Sequence, residues 1–234
     1  TEKGGSVSVP IELSIAVTTH NTREFLRRCL VSIRDTAGEI LYEIVVADDC
    51  SADGTQDMLE KEFPRVSVVR LERQSGFSAA SNRALERCRG EYILFLNGDI
   101  EVQPGALQAM LTLMRTDGRI GVLSCRLTNP DGSLQPFCRR LPTVASAVFQ
   151  NTFLERLFPR APVLMRYYMT DWDASVFGPV EQPAGCCWML RRTVLQSVGA
   201  LDEGMFLFYS DVDWCKRALE AGVGIFYTPL ATVV

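Results

Sequence analysis

Two carboxylates stand where apolar, β-branched segments of the sequence end, at Asp48 and at Asp99. Asp48 follows Tyr42–Ala47, a position where a carboxylate can accept a hydrogen bond from the imide N–H of a pyrimidine base. Asp99 follows Tyr92–Leu96, and an oxygen ligand on a rigid strand end suits Mg²⁺ or Mn²⁺, which complete their shell with phosphate and water. Helix capping and a β-turn are the competing explanations for these positions.

Asp211 is a third candidate, because it begins a predicted helix directly after the aromatic segment Phe206–Tyr209. Partial desolvation beside aromatic surface makes a carboxylate a stronger base, which favours a role in removing a proton from a substrate. Helix N-capping by Ser210 or Asp211 is the alternative explanation. Asp213 lies two residues further along and cannot share the same helical face.

His20, the one histidine of the chain, follows the first predicted strand. An imidazole there either stacks on or hydrogen-bonds a ligand, or it is an ordinary loop residue. Nucleophilic hydrolase chemistry of the Ser/His/Asp or Cys/His type would depend entirely on this ring. Gly76 lies in no G-x-G-x-x-G pattern and no G-x-x-x-x-G-K-[ST] is present, which excludes dinucleotide and P-loop sites.

Charge and composition exclude several further classes of protein. The net charge is −4 over 234 residues and no run of basic residues is present, which argues against nucleic-acid binding. Eight cysteines occur without a C-x-x-C or a Cys/His cluster, so reduced thiols in a cytosolic protein are favoured over disulfides or zinc. The apolar stretches are shorter than the ~20 residues that cross a bilayer, so no transmembrane segment is predicted.

Alternating strands and helices position these residues in the first half of the chain. The pattern predicts strands at Leu13–Thr19, Tyr42–Ala47, Val66–Leu71 and Tyr92–Leu96, and helices at Thr22–Arg34, Thr55–Phe63 and Ser78–Cys88. Such alternation indicates a parallel sheet covered by helices on both faces, with ligands bound beyond the carboxyl ends of the strands. We therefore expect the polar loops after the first, second and fourth strands to meet in one crevice.

The second half begins with a segment rich in proline and aromatic residues, from Asn129 to Val180, which is predicted to be an inserted subdomain with a helix at Val144–Leu157. After it, the pattern predicts strands at Ala184–Leu190 and Gly224–Tyr227 and helices at Thr193–Val198 and Ser210–Ala221.

Five segments resemble, in order, the motifs of family-two inverting glycosyltransferases with the GT-A fold: Leu13–Asn21, Val45–Thr55, Ser75–Asn82, Phe95–Asp99 and Leu201–Asp213. The segment Asp131–Asp173 resembles the rhamnosyltransferase-like branch that acts in bacterial cell-surface polysaccharide synthesis. The resemblance covers residues 11–234 and implies an α/β GT-A (Rossmann-like) fold, a mostly parallel sheet flanked by helices with an inserted acceptor-side subdomain.

The resemblance also implies a role for each motif residue. It assigns nucleotide binding to Thr18, His20, Asp48, Gly76 and Asn97. It assigns Mn²⁺ or Mg²⁺ binding to Asp99, the role of catalytic base to Asp211, and acceptor binding to Gly185 and Trp188.

The chain departs from the family pattern at three positions. His20 stands where the family usually has Tyr, Gln74 where it often has Asn, and Ser210 where a Glu usually precedes the base, which bears on how the acceptor is oriented. The family also commonly supplies a metal-binding histidine just past the strand that reaches Val234 here. We therefore expect a further metal ligand beyond Val234 and an acceptor half that is truncated at its C-terminus.

These expectations combine into one domain and one reaction. Residues 1–10 are expected to be a disordered or expression-derived extension, and residues 11–234 one GT-A domain with a nucleotide-sugar half (11–126) and an acceptor half (127–234). The implied enzyme is cytoplasmic, with possible peripheral contact at the inner face of the membrane. It is a metal-dependent enzyme that transfers a sugar from dTDP-rhamnose or a UDP-sugar to a saccharide or lipid-linked saccharide.

Two other functions stay open. One is a module that binds a sugar nucleotide without turnover. The other is a nucleotidyltransferase, which would be expected to carry a glycine-rich, basic loop near the first strand; Thr18–Asn21 offers neither feature.

Overall fold

The computed structural model describes residues 10–234, so nearly all of the expected N-terminal extension lies outside the described residues. The strands are β1 (Leu13–Thr19), β2 (Tyr42–Asp48), β3 (Ser67–Arg70), β4 (Tyr92–Asn97), β5 (Val122–Leu127), β6 (Cys138–Arg139), β7 (Gly178–Pro179), β8 (Gln182–Pro183), β9 (Cys187–Arg191) and β10 (Ile225–Val233). The helices are α1 (Arg23–Thr36), α2 (Thr55–Glu62), α3 (Phe77–Leu85), α4 (Ala106–Thr116), α5 (Val144–Gln150), α6 (Leu154–Leu157), α7 (Pro162–Tyr167), α8 (Arg192–Val198) and α9 (Ser210–Glu220).

Eight strands form the central sheet, in the order β3-β2-β1-β4-β9-β5-β10-β7. β1 pairs in parallel with β2 and β4, β3 pairs in parallel with β2, and β5 pairs in parallel with β10. This confirms the α/β, mostly parallel sheet that the sequence predicts. β9 runs antiparallel between β4 and β5, a direction that the apolar pattern of a buried strand does not encode.

The core consists of the buried strands and the helix faces packed on them. β1 and β4 are almost fully buried because their apolar residues face helices on both sides of the sheet. α1 buries Leu26, Leu30 and Ile33 at the predicted helical spacing. Phe25 is 50% exposed and lies under the guanidinium of Arg28.

The chain between β5 and β9 contains β6 and β8, which pair in a two-stranded sheet, and β7, which joins the central sheet beside β10. The single helix expected at Val144–Leu157 is two helices, α5 and α6. Asn151 and Thr152 donate side-chain hydrogen bonds to the carbonyls of Ala147 and Val148, and such bonds compete with continuation of the helix.

The described residues include all eight cysteines, and each is a free thiol, as predicted. Burial raises the pKa of Cys88 and of Cys138 to about 12, so both thiols stay protonated. No helix in the described part of the chain has the length and apolar character needed to cross a membrane.

A polar cluster joins the start of β1 to β2 and to the segment before β4. Ser14 is buried, and the side chains of Glu43 and Arg89 are 12% and 73% exposed. Ser14 Oγ donates to Glu43 Oε1 (2.7 Å) and accepts from the backbone N–H groups of Arg89 (2.9 Å) and Gly90 (2.7 Å). Glu43 Oε2 accepts from Nε (3.0 Å) and Nη2 (2.7 Å) of Arg89. Burial opposes ionisation of Glu43, but the hydrogen bonds from Arg89 and Ser14 outweigh it, and the pKa of this carboxyl is lowered.

Glu43→Gln is expected to destabilise the fold at pH 7 by about 1.5 to 3 kcal/mol, the range for hydrogen bonds to a charged group. Because the pKa of Glu43 is lowered on folding, its stabilisation is complete above the unfolded value of ~4.3 and is lost as the pH falls through the folded value. The difference between wild type and variant should therefore shrink below about pH 4 in thermal unfolding followed by circular dichroism.

Glu220→Gln is the matched control, since Glu220 is 65% exposed and its nearest cationic partner, Lys216, is 3.8 Å away. Such exposed pairs contribute little, so the melting temperature of this variant should equal that of wild type. A Glu43→Gln difference that is constant from pH 7 to pH 3 would contradict the proposed linkage.

Candidate active site

The loops after β1, β2 and β4 meet in one cavity of about 390 Å³, here called the strand-end cavity. This is the crevice that the sequence predicts. The residues that these loops contribute to it include Thr18, His20, Asp49, Asn97, Gly98 and Asp99. Its other walls are formed by the start of α3 and by the segment before α9, including Gln74, Gly76, Phe77, Phe206 and Leu207.

His20 connects the first two of these loops. Its Nδ1 lies 2.6 Å from the carbonyl oxygen of Asp49, and its Nε2 lies 3.0 Å from Nδ2 of Asn21. Asn21 Oδ1 accepts from the N–H of Ala52, so the amide must present its NH₂ group to the ring. In this arrangement Nδ1 is placed to donate to the Asp49 carbonyl and Nε2 to accept from Asn21, so both loops hold the His20 ring while it lines the cavity.

The two adjacent carboxylates after β2 have different environments. Asp48 is fully buried and does not line the strand-end cavity; its Oδ1 accepts from the N–H of Ser51, and its Oδ2 has no hydrogen-bond partner among the described residues. Asp49 does line the cavity, and its two oxygens accept from the N–H groups of Ser75 (2.7 Å) and Gly76 (2.9 Å). Sequence reasoning selected Asp48 as the site residue and missed Asp49 as a lining residue of the cavity, although the adjacent pair of aspartates was visible in the sequence.

Gly76 allows the segment before α9 to lie against the start of α3. Its φ is +89°, and a Cβ atom at this position would lie 2.3 Å from the carbonyl oxygen of Phe206 and 2.7 Å from its ring. The N–H of Phe77 donates to that same carbonyl (2.8 Å), and Ser78 Oγ donates to the carbonyl of Met205 (2.7 Å). Only glycine fits this close approach.

Asn97 and Asp99 supply oxygen atoms that the protein leaves free. Asn97 Oδ1 is buried without a hydrogen-bond partner in residues 10–234. Asp99 is exposed, lines the strand-end cavity, and makes no side-chain hydrogen bond or ion pair with any described residue. Hard, unengaged oxygens suit Mg²⁺ or Mn²⁺. No three His, Cys, Asp or Glu side chains of the described chain lie together as a ligand set, so a cation at Asp99 would take its further ligands from outside the described residues.

A second cavity, of about 480 Å³, surrounds Asp211 and is here called the Asp211 cavity. Oδ2 of Asp211 accepts from the N–H of Gly185 and from Nε2 of Gln182, both at 3.2 Å. A Cβ atom on Gly185 would lie 3.2 Å from that of Asp211. The structure thus brings two predicted site residues, Gly185 and Asp211, together. Gly185 lies in a loop, because the strand expected from Ala184 begins only at Cys187.

Gln182 is a residue of this site that sequence reasoning missed. It lies on β8, is 4% exposed, and lines the Asp211 cavity. Its position depends on the pairing of β8 with β6, and no motif in the sequence marks it. Asp213 points to a different partner, because its carboxylate accepts from Nε of Arg217 at 2.8 Å.

Trp188 is not brought to the Asp211 cavity, where the resemblance expected it on the acceptor side. It is 2% exposed and packs in the core, with its ring centroid 5.6 Å from Trp214 and 6.4 Å from Phe95. Its position on the central strand β9 accounts for this burial. Ser210, the residue before Asp211, is also buried and lines neither cavity.

One short segment contributes to both cavities. Phe206 and Leu207 line the strand-end cavity, whereas Phe208, Tyr209 and Asp211 line the Asp211 cavity. Tyr209 has a φ of +68°, a turn that lets the chain enter α9 with Asp211 in its first turn. Only a few residues of one segment therefore separate the two cavities.

Comparison with known proteins decides the family. A model of glycosyl transferase family 2 matches residues 14–199. The chain belongs to this family. It is therefore a glycosyltransferase, as the sequence motifs predicted.

Two curated relatives and one solved structure illustrate the likeness. The chain is 28% identical over 233 residues to the N-acetylglucosaminyl-diphospho-decaprenol L-rhamnosyltransferase of Mycobacterium tuberculosis, over 95% of this chain and 75% of that protein. It is 30% identical over 239 residues to the succinoglycan biosynthesis protein ExoO of Rhizobium meliloti, over 88% of this chain and 68% of that protein.

The crystal structure of GalNAc-T7 with UDP, GalNAc and Mn²⁺ matches with a TM-score of 0.69 at 17% identity, over 96% of this chain and 43% of that one. At this identity the likeness concerns the fold, and it confirms the predicted GT-A architecture.

Gly76→Ala is expected to loosen the segment Met205–Tyr209, because the added methyl group cannot fit beside the Phe206 carbonyl. The melting temperature should fall, and chymotrypsin should cleave after the aromatic residues of this segment faster than in wild type. Gly132→Ala is the control, since Gly132 also has a positive φ (+83°) but nothing lies within 4 Å of its added Cβ.

The control variant should show only the backbone cost of ~1–2 kcal/mol and unchanged cleavage. Equal effects of the two substitutions on stability and on cleavage would contradict the close-approach argument for Gly76.

Proposed function

We propose that this protein catalyses metal-dependent, inverting transfer of a sugar from a nucleoside diphosphate donor to a saccharide or lipid-linked saccharide acceptor. The observation that carries the proposal is the pair of cavities joined by Phe206–Asp211. The first cavity offers groups suited to a nucleoside diphosphate. The second holds a carboxylate fixed by neighbouring donors and accessible from the cavity.

The donor nucleotide is assigned to the strand-end cavity, with Thr18, His20, Asp48, Gly76 and Asn97 as its binding residues. The unpartnered Oδ2 of Asp48 supports a hydrogen bond from a base N–H. Because Asp48 is buried and does not line the cavity, the loop after β2 must move for the base to reach this oxygen. The unpartnered Oδ1 of Asn97 supports a contact to a ribose hydroxyl.

Asp99 is the proposed metal-binding residue. A bound Mn²⁺ or Mg²⁺ would stabilise the negative charge that develops on the departing diphosphate. Asp99 suits this task because its carboxylate faces the strand-end cavity and has no competing cation among the described residues. The histidine ligand expected beyond Val234 stays a prediction; the backbone of Val234 pairs with that of Glu101, two residues after Asp99.

Asp211 is the proposed base. As the acceptor oxygen attacks the anomeric carbon from the face opposite the diphosphate, Asp211 takes the proton of that hydroxyl and the carbon–oxygen bond to the diphosphate breaks. Gln182 and the N–H of Gly185 hold Oδ2, so the carboxylate cannot rotate away from the cavity. One displacement inverts the anomeric configuration and needs no covalent nucleophile.

The names of the relatives support a class of substrates for this enzyme. The Mycobacterium tuberculosis relative is an L-rhamnosyltransferase whose acceptor is an N-acetylglucosaminyl-diphospho-decaprenol, and the Rhizobium meliloti relative acts in succinoglycan biosynthesis. These names support a role in polysaccharide biosynthesis, with dTDP-rhamnose or a UDP-sugar as donor. Release of dTDP or UDP that requires an added acceptor tests turnover and would exclude a module that only binds the nucleotide.

Asp211→Asn is expected to lower turnover by ~10²-fold or more, because the amide keeps the shape of the side chain but cannot take a proton. The rate is measured as dTDP release from dTDP-rhamnose with N-acetylglucosaminyl-diphospho-decaprenol as acceptor. Donor affinity, measured by calorimetry, should change little. Asp213→Asn is the control, since its carboxylate binds Arg217 and should leave the rate near that of wild type. A near-wild-type rate for Asp211→Asn would reassign the base.

Asp99→Asn is expected to abolish the Mn²⁺-dependent part of nucleotide binding. For wild type, nucleotide at a hundred times its dissociation constant should stabilise the fold by ~2.7 kcal/mol, and chelation with EDTA should weaken this effect. Glu101→Gln is the control, because Glu101 is close in sequence but engages Arg28 at 3.2 Å. For both variants, the shift of the melting temperature on adding dTDP or UDP is measured with and without Mn²⁺. If Mn²⁺ still increases this shift in Asp99→Asn, the assignment of Asp99 is overturned.

A further inference from the structure

The inserted segment presents an unusual number of apolar side chains to solvent. Between residues 144 and 165, six large apolar residues are at least 42% exposed, and Val144 and Phe153 reach 85% and 69%. Single exposed apolar residues are ordinary, but a concentration of them within one small unit marks an interaction surface.

These residues belong to one packed unit, because α5 contacts both α6 and α7. Val144 and Val148 are four residues apart on α5 and therefore lie on one side of that helix. Phe153 and Leu157 have the same spacing at α6. The unit turns Ser146 and Leu164 inward and leaves these four residues outside. We call the exposed surface of α5–α7 the insert face.

The insert face is also basic. Residues 144–167, which span α5–α7, contain three arginines and one glutamate, a charge of +2 in a chain whose net charge is −4. The glutamate, Glu155, accepts a hydrogen bond from the hydroxyl of Tyr168. Arg156, Arg160 and Arg166 are exposed and form no ion pair with any described residue. Apolar side chains interspersed with arginines match a bilayer surface with anionic headgroups.

The insert face adjoins the Asp211 cavity. Arg139 and Tyr167 of the inserted segment line this cavity together with Phe208 and Tyr209, which are 74% and 55% exposed. If the insert face contacts a bilayer, an acceptor that is anchored in that bilayer by a lipid tail can reach the proposed base through the adjoining Asp211 cavity.

We propose that the insert face docks on the anionic surface of a phospholipid bilayer, with Phe153 and Leu157 entering the headgroup region and Arg156 and Arg160 contacting lipid phosphates. This inference extends the proposed function, because it accounts for how a lipid-linked acceptor reaches Asp211. It is independent of which sugar is transferred.

Vesicle co-sedimentation tests the electrostatic part. Wild type should bind vesicles of phosphatidylglycerol and phosphatidylethanolamine, and bind phosphatidylcholine vesicles much more weakly. R156E/R160E should bind the anionic vesicles at least about tenfold more weakly, since each basic residue near the surface contributes to binding. R65E/R87E is the control with the same change of charge at exposed arginines elsewhere, and it should bind like wild type. An equal loss of vesicle binding in R156E/R160E and R65E/R87E would show that only the net charge matters, and it would overturn the proposal.

The apolar part is tested with F153S/L157S, which should reduce binding that persists at 0.5 M salt. V68S/L230S is its control, because Val68 and Leu230 are exposed apolar residues outside the insert face. Circular dichroism establishes that each variant folds. No vesicle binding by wild type, or a dimer of wild type that F153S/L157S converts to monomer without altering vesicle binding, would overturn the proposal.

Nucleotide binding and transfer to a water-soluble acceptor are measured for the same variants and should equal those of wild type. Vesicle binding without nucleotide binding or transfer would refute the proposed function alone. Transfer without vesicle binding would refute only the membrane proposal.

Discussion

Both cavities depend on the carboxylate of Asp49. It accepts hydrogen bonds from the N–H groups of Ser75 and Gly76, and hydrogen bonds to a charged group are worth about 1.5–3 kcal/mol each. They hold Gly76 where its missing side chain admits the carbonyl of Phe206. Phe206 begins the segment that forms one wall of the strand-end cavity and continues to Asp211. A loop after β2 thereby determines where a residue 162 positions later in the sequence can lie.

A second connection ties Asp211 to the strand that carries Asn97. The N–H of Gly185 donates to Asp211, and the carbonyl of the next residue, Cys186, accepts from the N–H of Asn97 at 3.1 Å. Two adjacent residues therefore fix the proposed base relative to the end of β4, two positions before Asp99. In-line displacement is sensitive to such distances, since misplacement by ~1 Å can cost ~10²-fold in rate. The antiparallel strand β9 is what brings this loop beside β4.

The fold from β1 to β4 was predictable because its information is local. β1 has the predicted bounds, and the helices that follow β1 and β2 differ by two residues or fewer at each end, since apolar periodicity and strand-end polar residues encode them. The direction of β9, the break after α5 and the role of Gln182 depend on contacts between distant segments. Trp188 shows the limit of the motif, because this residue, three positions after Gly185, is buried in the core and does not line the cavity.

The arrangement around Asp211 fixes the position of the proposed base. Two donors at Oδ2 and the N–H of Val212 at Oδ1 restrain both oxygen atoms of the carboxylate. A transfer with an oxocarbenium-like transition state depends on how the reacting groups are placed. A base that neighbouring donors hold in one orientation suits such a reaction, because orientation of the reacting groups can contribute more to the rate than proton transfer does.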